Sequence, residues 1–281
     1  MKPYLYALGA VLCWASLPAA TGSGLDGLTV TELLFFSFVP AALYLTAQEM
    51  ILSSRMSIPW PDWKLTILGL AGIFGYHALY YLALDHAPLV EGAILTTTWS
   101  FWIVIFSSIL VRKRLSLPAL AVALVGLVGA GLVVTGGKGL QFEARYLSGY
   151  LMALGCGLIW SSFSVILSRL RPTRDYMPAF TVLAALFSTL VYVGSGPQTL
   201  PPAKALLSAL YLGLVPLGLS FTLWNRAVTT GNMTLIGYLS YLTPPLAVLL
   251  AALVRGAAVT PHALIGMIVI LGAAFVGRRV G

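Results

Sequence analysis

Ten apolar stretches, separated by short polar connections, constrain the fold of this chain more than any other feature. An α-helix needs roughly 20 apolar residues to cross the hydrocarbon core of a bilayer. Windows of that kind follow one another along the 281 residues, at 4–22, 30–50, 63–84, 89–111, 117–135, 147–168, 178–194, 204–228, 233–254 and 261–277. Because lipid offers no partner to a backbone N–H or C=O group, these windows predict ten membrane-spanning helices.

The composition is that of a protein that lies within lipid. Only 9% of the residues are charged and 59% are hydrophobic, whereas soluble domains carry roughly a quarter charged residues. The net charge of +8 does not indicate a nucleic-acid partner, because the basic residues stand at the ends of apolar stretches, where they orient membrane proteins. Cys13 and Cys156 lie inside apolar stretches, so we expect small core residues rather than a disulfide.

Two segments of the chain occur twice. The segment "ALGAVLCWAS" begins at Ala7 and returns as "ALGCGLIWSS" at Ala153. A second segment, which begins "VRKRLSLP" at Val111, aligns with "VRGAAVTP" at Val254, 143 residues later. Arg, Pro, Gly and Ala recur in register along this second pair. Ordered matches at nearly equal offsets indicate an internal duplication.

The duplication predicts two repeats of five helices, residues 1–140 and residues 141–281. Because five is odd, the second repeat must enter the membrane from the opposite side, as in the inverted repeats of many secondary transporters. The basic residues favour a cytoplasmic N-terminus. In that orientation twelve of the 16 lysines and arginines lie at inner ends, and the outer ones are Lys138, Arg145, Lys204 and Arg255. Both termini are therefore predicted to be cytoplasmic.

Several short motifs stand in a recognisable order. They are the two "ALG…W.S" openings, "YYLALDHAP" at the end of the third stretch, "LWNRAVTTG" at the end of the eighth, and the two R…P…G-A segments. Together they resemble the drug/metabolite transporter superfamily in its ten-helix form with two EamA domains, and within it the bacterial aromatic amino acid exporters. The resemblance covers the whole chain. It implies an all-α, multi-pass protein of the bacterial inner membrane, with a central substrate cavity, alternating access and no cofactor.

Aromatic and polar residues deep inside the stretches are the candidates for substrate contact. An indole N–H that leaves water needs a partner, and an ionisable group within a span is costly unless it serves a function. We expect the substrate-binding residues to be His77, Tyr80, Trp99, Trp160, Tyr76, Tyr81, Tyr238 and Tyr241. For the tryptophans the alternative is helix packing, to which Trp14, Trp102 and Trp224 are assigned. For His77 the alternative is a hydrogen bond to a neighbouring helix.

Two further elements complete the predicted site. A stripe formed by Thr234, Tyr238, Tyr241 and Pro245 recurs at helical spacing in the ninth stretch, and we expect it to face Trp99 across the cavity. Glu91 is the carboxylate best placed inside a stretch. Its position near the start of the fourth helix suits the helix dipole, and the alternative is a role in binding an ammonium group or a proton.

These observations lead to a secondary transporter that exports aromatic, and other hydrophobic, amino acids. The alternatives are a broad-specificity drug or metabolite exporter of the same superfamily and a membrane-embedded enzyme. We predict that the chain is not an enzyme, because no span supplies a nucleophile with a base, a metal site or paired carboxylates. The expected partners are a small-molecule substrate and the lipid bilayer. Substrate range, proton coupling, resting conformation and oligomeric state stay open, and a monomer is plausible.

Overall fold

The computed structural model describes residues 1–54, 57–114, 116–195, 201–256 and 258–280. Within these ranges the chain forms ten helices long and apolar enough to cross a membrane, and it forms no strand. In chain order they are α1 (Lys2–Leu25), α2 (Val30–Ser53), α3 (Trp63–His86), α4 (Leu89–Val111), α5 (Leu117–Thr135), α6 (Ala144–Leu170), α7 (Met177–Gly194), α8 (Ala203–Thr230), α9 (Met233–Val254) and α10 (Pro261–Arg279). The all-helical, ten-span prediction is confirmed. Arg55, one of the predicted inner charges, lies outside the described residues.

Short connections make successive helices antiparallel, so the bundle has two ends. We call the end that contains the start of α1 the N-terminal end, and the end that contains the α1–α2 turn the far end. Contacts between distant parts of the chain agree with this division. A Cβ placed on Gly231 would lie 3.0 Å from Pro3 at the N-terminal end, and one on Gly27 would lie 3.0 Å from Pro202 at the far end.

Side-chain caps fix the starts of several helices. At α2, Thr29 Oγ1 accepts a hydrogen bond from the Glu32 backbone N–H at 3.3 Å, and Glu32 Oε2 accepts one from the Thr29 N–H at 2.8 Å. This reciprocal pair is a capping box. At α9, the side chain of Asn232 accepts a hydrogen bond from the Leu235 N–H at 3.2 Å. These bonds satisfy N–H groups that the first helical turn leaves without a partner.

The packing of the helices repeats when the two halves of the chain are exchanged. Helix α3 packs on α6 as α8 packs on α1, and α4 packs on α6 as α9 packs on α1. Helices α5 and α10 pack directly against each other. Their backbones approach closely, because a Cβ on Gly266 would lie 2.6 Å from the carbonyl oxygen of Gly129. This arrangement has the character of two related five-helix halves.

Most of the helix interruptions also come in related pairs. Helix α3 contains a π-helical turn at Leu70–Gly75, and α8 contains one at Val215–Leu219, where Pro216 removes a backbone donor. The regular hydrogen bonding of α4 is interrupted at Thr98, and that of α9 at residues 241–242, 143 positions along the chain. Helix α1 is an exception to this pairing of interruptions. It is divided between Trp14 and Leu17, whereas its counterpart α6 continues without a break through Leu170.

Candidate functional site

A cavity of about 460 Å³ lies between the two halves and reaches from the middle of the bundle to the far end. Six helices and one residue of α5, Val134, contribute to its walls. Far-end positions such as Asp26 and Leu89 form its mouth, and aromatic residues from the middle of the bundle form its floor. The aromatic lining residues are Trp14, Tyr76, Tyr80, Trp99, Trp160 and Phe221, and His77 stands among them.

Tryptophans packed edge to face make up much of the floor. The ring of Trp14 lies 5.8 Å from that of Trp99 and 5.2 Å from that of Trp160, and both pairs are close to perpendicular. Edge-to-face geometry of this kind is favourable for aromatic rings. Trp224 lies beneath them, fully buried, with its ring 5.0 Å from Trp14. Its Nε1 donates to Ser164 Oγ at 3.0 Å, which satisfies the buried indole.

His77 projects from α3 into the same aromatic environment. Its Nδ1 lies 2.8 Å from the carbonyl oxygen of Ile73, one turn earlier. Because a carbonyl oxygen only accepts hydrogen bonds, Nδ1 carries a hydrogen, and a neutral ring then has Nε2 as an acceptor. The rings of Tyr76 and Phe221 stand 4.7 Å and 5.6 Å away. The partner of His77 is thus its own helix, not a neighbouring one.

The structure brings five of the eight predicted site residues to the cavity. His77, Tyr76, Tyr80, Trp99 and Trp160 line it. These five residues and Trp14 lie on four helices, α1, α3, α4 and α6. All six side chains line the same cavity.

The other three predicted residues, Tyr81, Tyr238 and Tyr241, do not line this cavity. The Tyr81 hydroxyl lies 3.2 Å from Ser37 Oγ of α2. The hydroxyl of Tyr238 donates to the carbonyl of Ala119 at 2.9 Å, and that of Tyr241 donates to the carbonyl of Ala123 at 2.8 Å.

The stripe of α9 therefore faces α4 and α5 in this structure instead of facing Trp99 across the cavity. The hydroxyl of Thr234, another member of the stripe, lies 3.0 Å from Ser107 Oγ of α4.

Trp14 is the floor residue that the sequence analysis assigned to packing. The duplication held a signal for it, because Trp14 and Trp160 occupy the same position in the repeated "ALG" segments. Phe221, Thr96, Thr97 and Thr243 also line the cavity and carried no comparable signal.

The cavity offers mostly neutral polar groups. In the part of the chain that the structure describes, Asp26, at the exposed mouth, is the one acidic residue among the lining side chains, and neither Lys nor Arg lines the cavity. The hydroxyls of Thr96 and Thr97 both donate to the carbonyl of Ala93. Glu91 stands in the first turn of α4, outside the lining. Such a site can enclose a flat apolar group beside a few hydrogen-bonding atoms.

The chemistry of the site includes no evident metal centre. Among the described residues, no group of three or more His, Cys, Asp or Glu side chains could hold a metal ion. Cys13 and Cys156 are both free thiols. Cys13 is partly buried, and Cys156 is buried against α3 with its Sγ 3.8 Å from the Tyr76 carbonyl.

Known proteins with similar sequences are transporters. An aromatic amino acid exporter, YddG, of Ancylobacter novellus is 32% identical over 95% of this chain and 93% of its own length. A probable terminal-alkyne amino-acid exporter of Streptantibioticus cattleyicolor is 25% identical over 96% and 91%. A probable biotin transporter of Pseudomonas aeruginosa is 24% identical over 89% and 96%. One solved crystal structure is similar with a TM-score of 0.88 and 30% identity, covering 100% of this chain and 98% of that one.

The sequence pattern of the EamA-like transporter family matches residues 1–135 and again residues 147–277. Together with ten apolar helices and bacterial relatives, this makes the protein a multi-pass protein of the bacterial inner membrane. The resemblance inferred from the ordered motifs is confirmed: the chain belongs to the EamA-like transporter family.

Proposed function

We propose that this protein exports aromatic and other hydrophobic amino acids across the inner membrane by alternating access through the central cavity. The observation that carries the proposal is the cavity floor, where three indoles, two phenols and an imidazole converge in the middle of the bundle. Aromatic side chains of a substrate can pack edge to face against such a floor. Two relatives, an aromatic amino acid exporter and a probable terminal-alkyne amino-acid exporter, support the same substrate class.

The polar part of an amino acid has suitable partners around the floor. A neutral His77 presents Nε2 as an acceptor for an ammonium group, and the Tyr76 and Tyr80 hydroxyls can donate to a carboxylate. The lining residues supply no Lys or Arg, which argues against phosphorylated substrates, since these call for charge-assisted hydrogen bonds. A zwitterion, by contrast, needs no net countercharge.

The predicted topology gives the cavity a direction. With the N-terminus in the cytoplasm, as the distribution of basic residues favours, the far end faces the periplasm. The cavity then opens outward, and its tryptophan floor separates it from the cytoplasm. Residues 1–140 and residues 141–281 form the two inverted repeats, whose relative motion would expose the site to the other side.

Counterflow of labelled phenylalanine in proteoliposomes tests the proposal. The variants are His77→Ala, Tyr80→Ala, Trp99→Ala and Trp160→Ala, with a small neutral amino acid as second substrate. An edge-to-face ring pair adds about 0.5–1.5 kcal/mol beyond area burial, so loss of Trp99 or Trp160 is expected to weaken phenylalanine transport several-fold and the small amino acid less. Trp102→Ala is the matched control, because Trp102 stacks on Phe106, away from the lining residues.

Three results would contradict the proposal. Parental phenylalanine transport in all four variants would place substrate recognition elsewhere. Efficient counterflow of biotin or unrelated drugs without competition by phenylalanine would favour the broader metabolite exporter, a candidate that the similarity to a probable biotin transporter supports. Chemical turnover of a substrate without its translocation would favour an enzyme.

A further inference from the structure

Two serine hydroxyls join α4 to α9 on the N-terminal side of the cavity floor. Ser100 Oγ and Ser240 Oγ are 2.8 Å apart, and both side chains are fully buried. Ser240 Oγ also lies 2.6 Å from the carbonyl oxygen of Gly237. Ser240 Oγ is placed to donate to Ser100 Oγ or to the Gly237 carbonyl, but it has one hydrogen. All three groups are satisfied together when Ser240 donates to Gly237 and accepts from Ser100.

The two helices stay in contact from this bond toward the N-terminal end. Ser107 Oγ and Thr234 Oγ1 are 3.0 Å apart. A Cβ on Gly237 would lie 2.7 Å from Ile103, so the absence of a side chain there permits the close approach. We call this tightly packed half of the α4–α9 contact, on the N-terminal side of the floor, the closed half.

On the other side of the helix interruptions the same two helices are walls of the cavity. Ala93 and Thr97 line it from α4, and Thr243 and Ala247 line it from α9. Here the hydroxyls bond to their own helices. Thr97 Oγ1 donates to the Ala93 carbonyl at 2.6 Å, and Thr243 Oγ1 donates to the Ser240 carbonyl at 2.8 Å.

The duplication relates the two pairs of hydroxyls. The 143-residue shift that aligns Val111 with Val254 also carries Ser100 onto Thr243 and Thr97 onto Ser240. The bonded pair Ser100–Ser240 therefore has Thr243–Thr97 as its counterpart in the exchanged halves. Both members of the counterpart carry a hydroxyl, and both line the open side of the same cavity.

We propose that Thr97 and Thr243 form the far-end equivalent of the Ser100–Ser240 bond, so that the two pairs close opposite ends of the substrate pathway in alternation. This inference rests on the proposed alternating access and names four residues that position the gates. In the exchanged state Thr243 releases the Ser240 carbonyl and donates to Thr97. Ser100, released from Ser240, donates to the Thr97 carbonyl instead.

The exchange conserves the hydrogen bonds of the four hydroxyls. In each state one hydroxyl, that of Ser100 or that of Thr243, donates across the gap between α4 and α9. The other of these two hydroxyls then donates to a backbone carbonyl of its own helix. On the closed side of the floor an unpaired hydroxyl would find no water to replace its partner. A swap that leaves no hydroxyl without a partner lets the two states lie close in free energy, as a carrier requires.

Thiol labelling in nanodiscs, where reagent reaches both ends of the protein, tests the inference without any substrate. The background replaces Cys13 and Cys156, and single reporters are Ala93→Cys in the cavity wall and Val104→Cys, buried in the closed half. Ser240→Ala removes the observed bond and should slow labelling of Ala93→Cys and speed that of Val104→Cys, each at least two-fold. Thr97→Val removes the acceptor of the proposed bond, which forms only in the exchanged state, and should speed labelling of Ala93→Cys and slow that of Val104→Cys, each at least two-fold.

Two comparisons separate gating from a general structural effect. Ser188→Ala removes an equally buried hydroxyl of α7 that donates only to its own Ala185 carbonyl, and it should label like the parent. Ser240→Thr keeps the hydroxyl, copies the residue at position 97, and should restore the parental rates. Shifts in the same direction for Ser240→Ala and Thr97→Val, or no shift in either, would overturn the inference. Because labelling needs no substrate, its outcome is independent of whether phenylalanine is the cargo.

Discussion

The indole Nε1 of Trp14 donates a hydrogen bond to the carbonyl oxygen of Pro216 at 2.9 Å, and this bond joins the cavity floor to the π-helical turn of α8. The Ser220 hydroxyl donates to the same carbonyl. The floor residue most central to the tryptophan cluster is therefore attached to the point where the opposite half of the bundle is interrupted.

Trp14→Phe should impair transport more than stability. The phenyl ring keeps much of the packing, and Ser220 keeps the Pro216 carbonyl satisfied, so the loss in unfolding free energy is about 0.5–1.5 kcal/mol. Counterflow of phenylalanine should fall several-fold, because the floor is no longer tied to α8. Trp102→Phe serves as the control. Parental transport by Trp14→Phe would show that the bond has no role beyond packing.

The orientation in the membrane is testable with two cysteines in a background without Cys13 and Cys156. A cysteine in place of Arg114, at the N-terminal end, should be protected from impermeant reagent added outside intact cells. A cysteine in place of Asp26, which is exposed at the far end, should be labelled. The expectation follows from the basic residues clustered at the N-terminal end. The reverse labelling pattern would contradict cytoplasmic termini.

Glu91→Gln should keep most of the transport activity. Glu91 stands in the first turn of α4 and outside the cavity lining, where its charge stabilises the helix start by about 0.3–1 kcal/mol. A small decrease in thermal stability and a near-parental rate are expected in proteoliposomes. If the variant folds and is inserted normally but carries no flux, Glu91 belongs to the mechanism of transport.

Tyr238→Phe should reduce stability without changing substrate preference. The Tyr238 hydroxyl bonds to the Ala119 carbonyl of α5 and does not reach the cavity, so its removal costs about 0.5–1.5 kcal/mol of unfolding free energy. Tyr80→Phe is the comparison, since Tyr80 lines the cavity. A changed ratio of phenylalanine to small amino acid transport in Tyr238→Phe would refute this assignment.

Asp175, in the connection between α6 and α7, should make stability depend on pH. Burial raises the pKa of this carboxyl above its ordinary value of 3.8, although bonds from the Met177 N–H and Asn225 and the charge of Arg226 act in the opposite direction. The folded state therefore binds the proton more tightly than the unfolded chain. Stability falls as the pH rises from 3.8 through the folded pKa.

Asp175→Asn keeps an oxygen for the Met177 N–H, which Asp175 Oδ1 accepts at 2.9 Å, and it removes the titration. We expect a flatter stability profile on the acid side and at least parental stability at pH about 7. Thermal unfolding in detergent across a pH series measures this. Asp62→Asn, an exposed cap of α3, is the control. An unchanged profile in Asp175→Asn would contradict the pKa assignment.

The sequence was sufficient to predict where the helices lie along the chain. It was insufficient to predict which side of each helix faces the interior of the bundle. Ten apolar windows of bilayer length admit few alternatives in lipid, and the structure contains the ten corresponding helices. Which side of such a helix faces inward is harder to predict, because these helices are apolar nearly all around. Tyr238 and Tyr241 illustrate the difficulty. Their hydroxyls suggested a wet cavity, yet each is satisfied by a carbonyl of α5.

Depth within a span predicted the cavity-lining residues better than side-chain chemistry did. His77, Trp99 and Trp160 lie near the middle of their helices and reach the cavity. Trp14 lies at a similar depth, but its exposure to the cavity depends on the division of α1 after Trp14. Pro18 hints at that interruption, whereas the direction in which the chain continues depends on tertiary packing.

The division of α1, set against the unbroken α6, means that the two halves are not equivalent. Under the proposed alternating access, the two access states would then differ in energy. For a carrier coupled to no other gradient, this difference cannot choose the direction of net flux. The energy difference changes the substrate concentration at which each face of the carrier binds substrate. The apparent affinity at a face is lower when a smaller fraction of the molecules is open to that face. A carrier that rests with its far end open binds weakly from the N-terminal end. Such a carrier would transport little substrate at low cytoplasmic concentrations and would export it once the substrate accumulates in the cell.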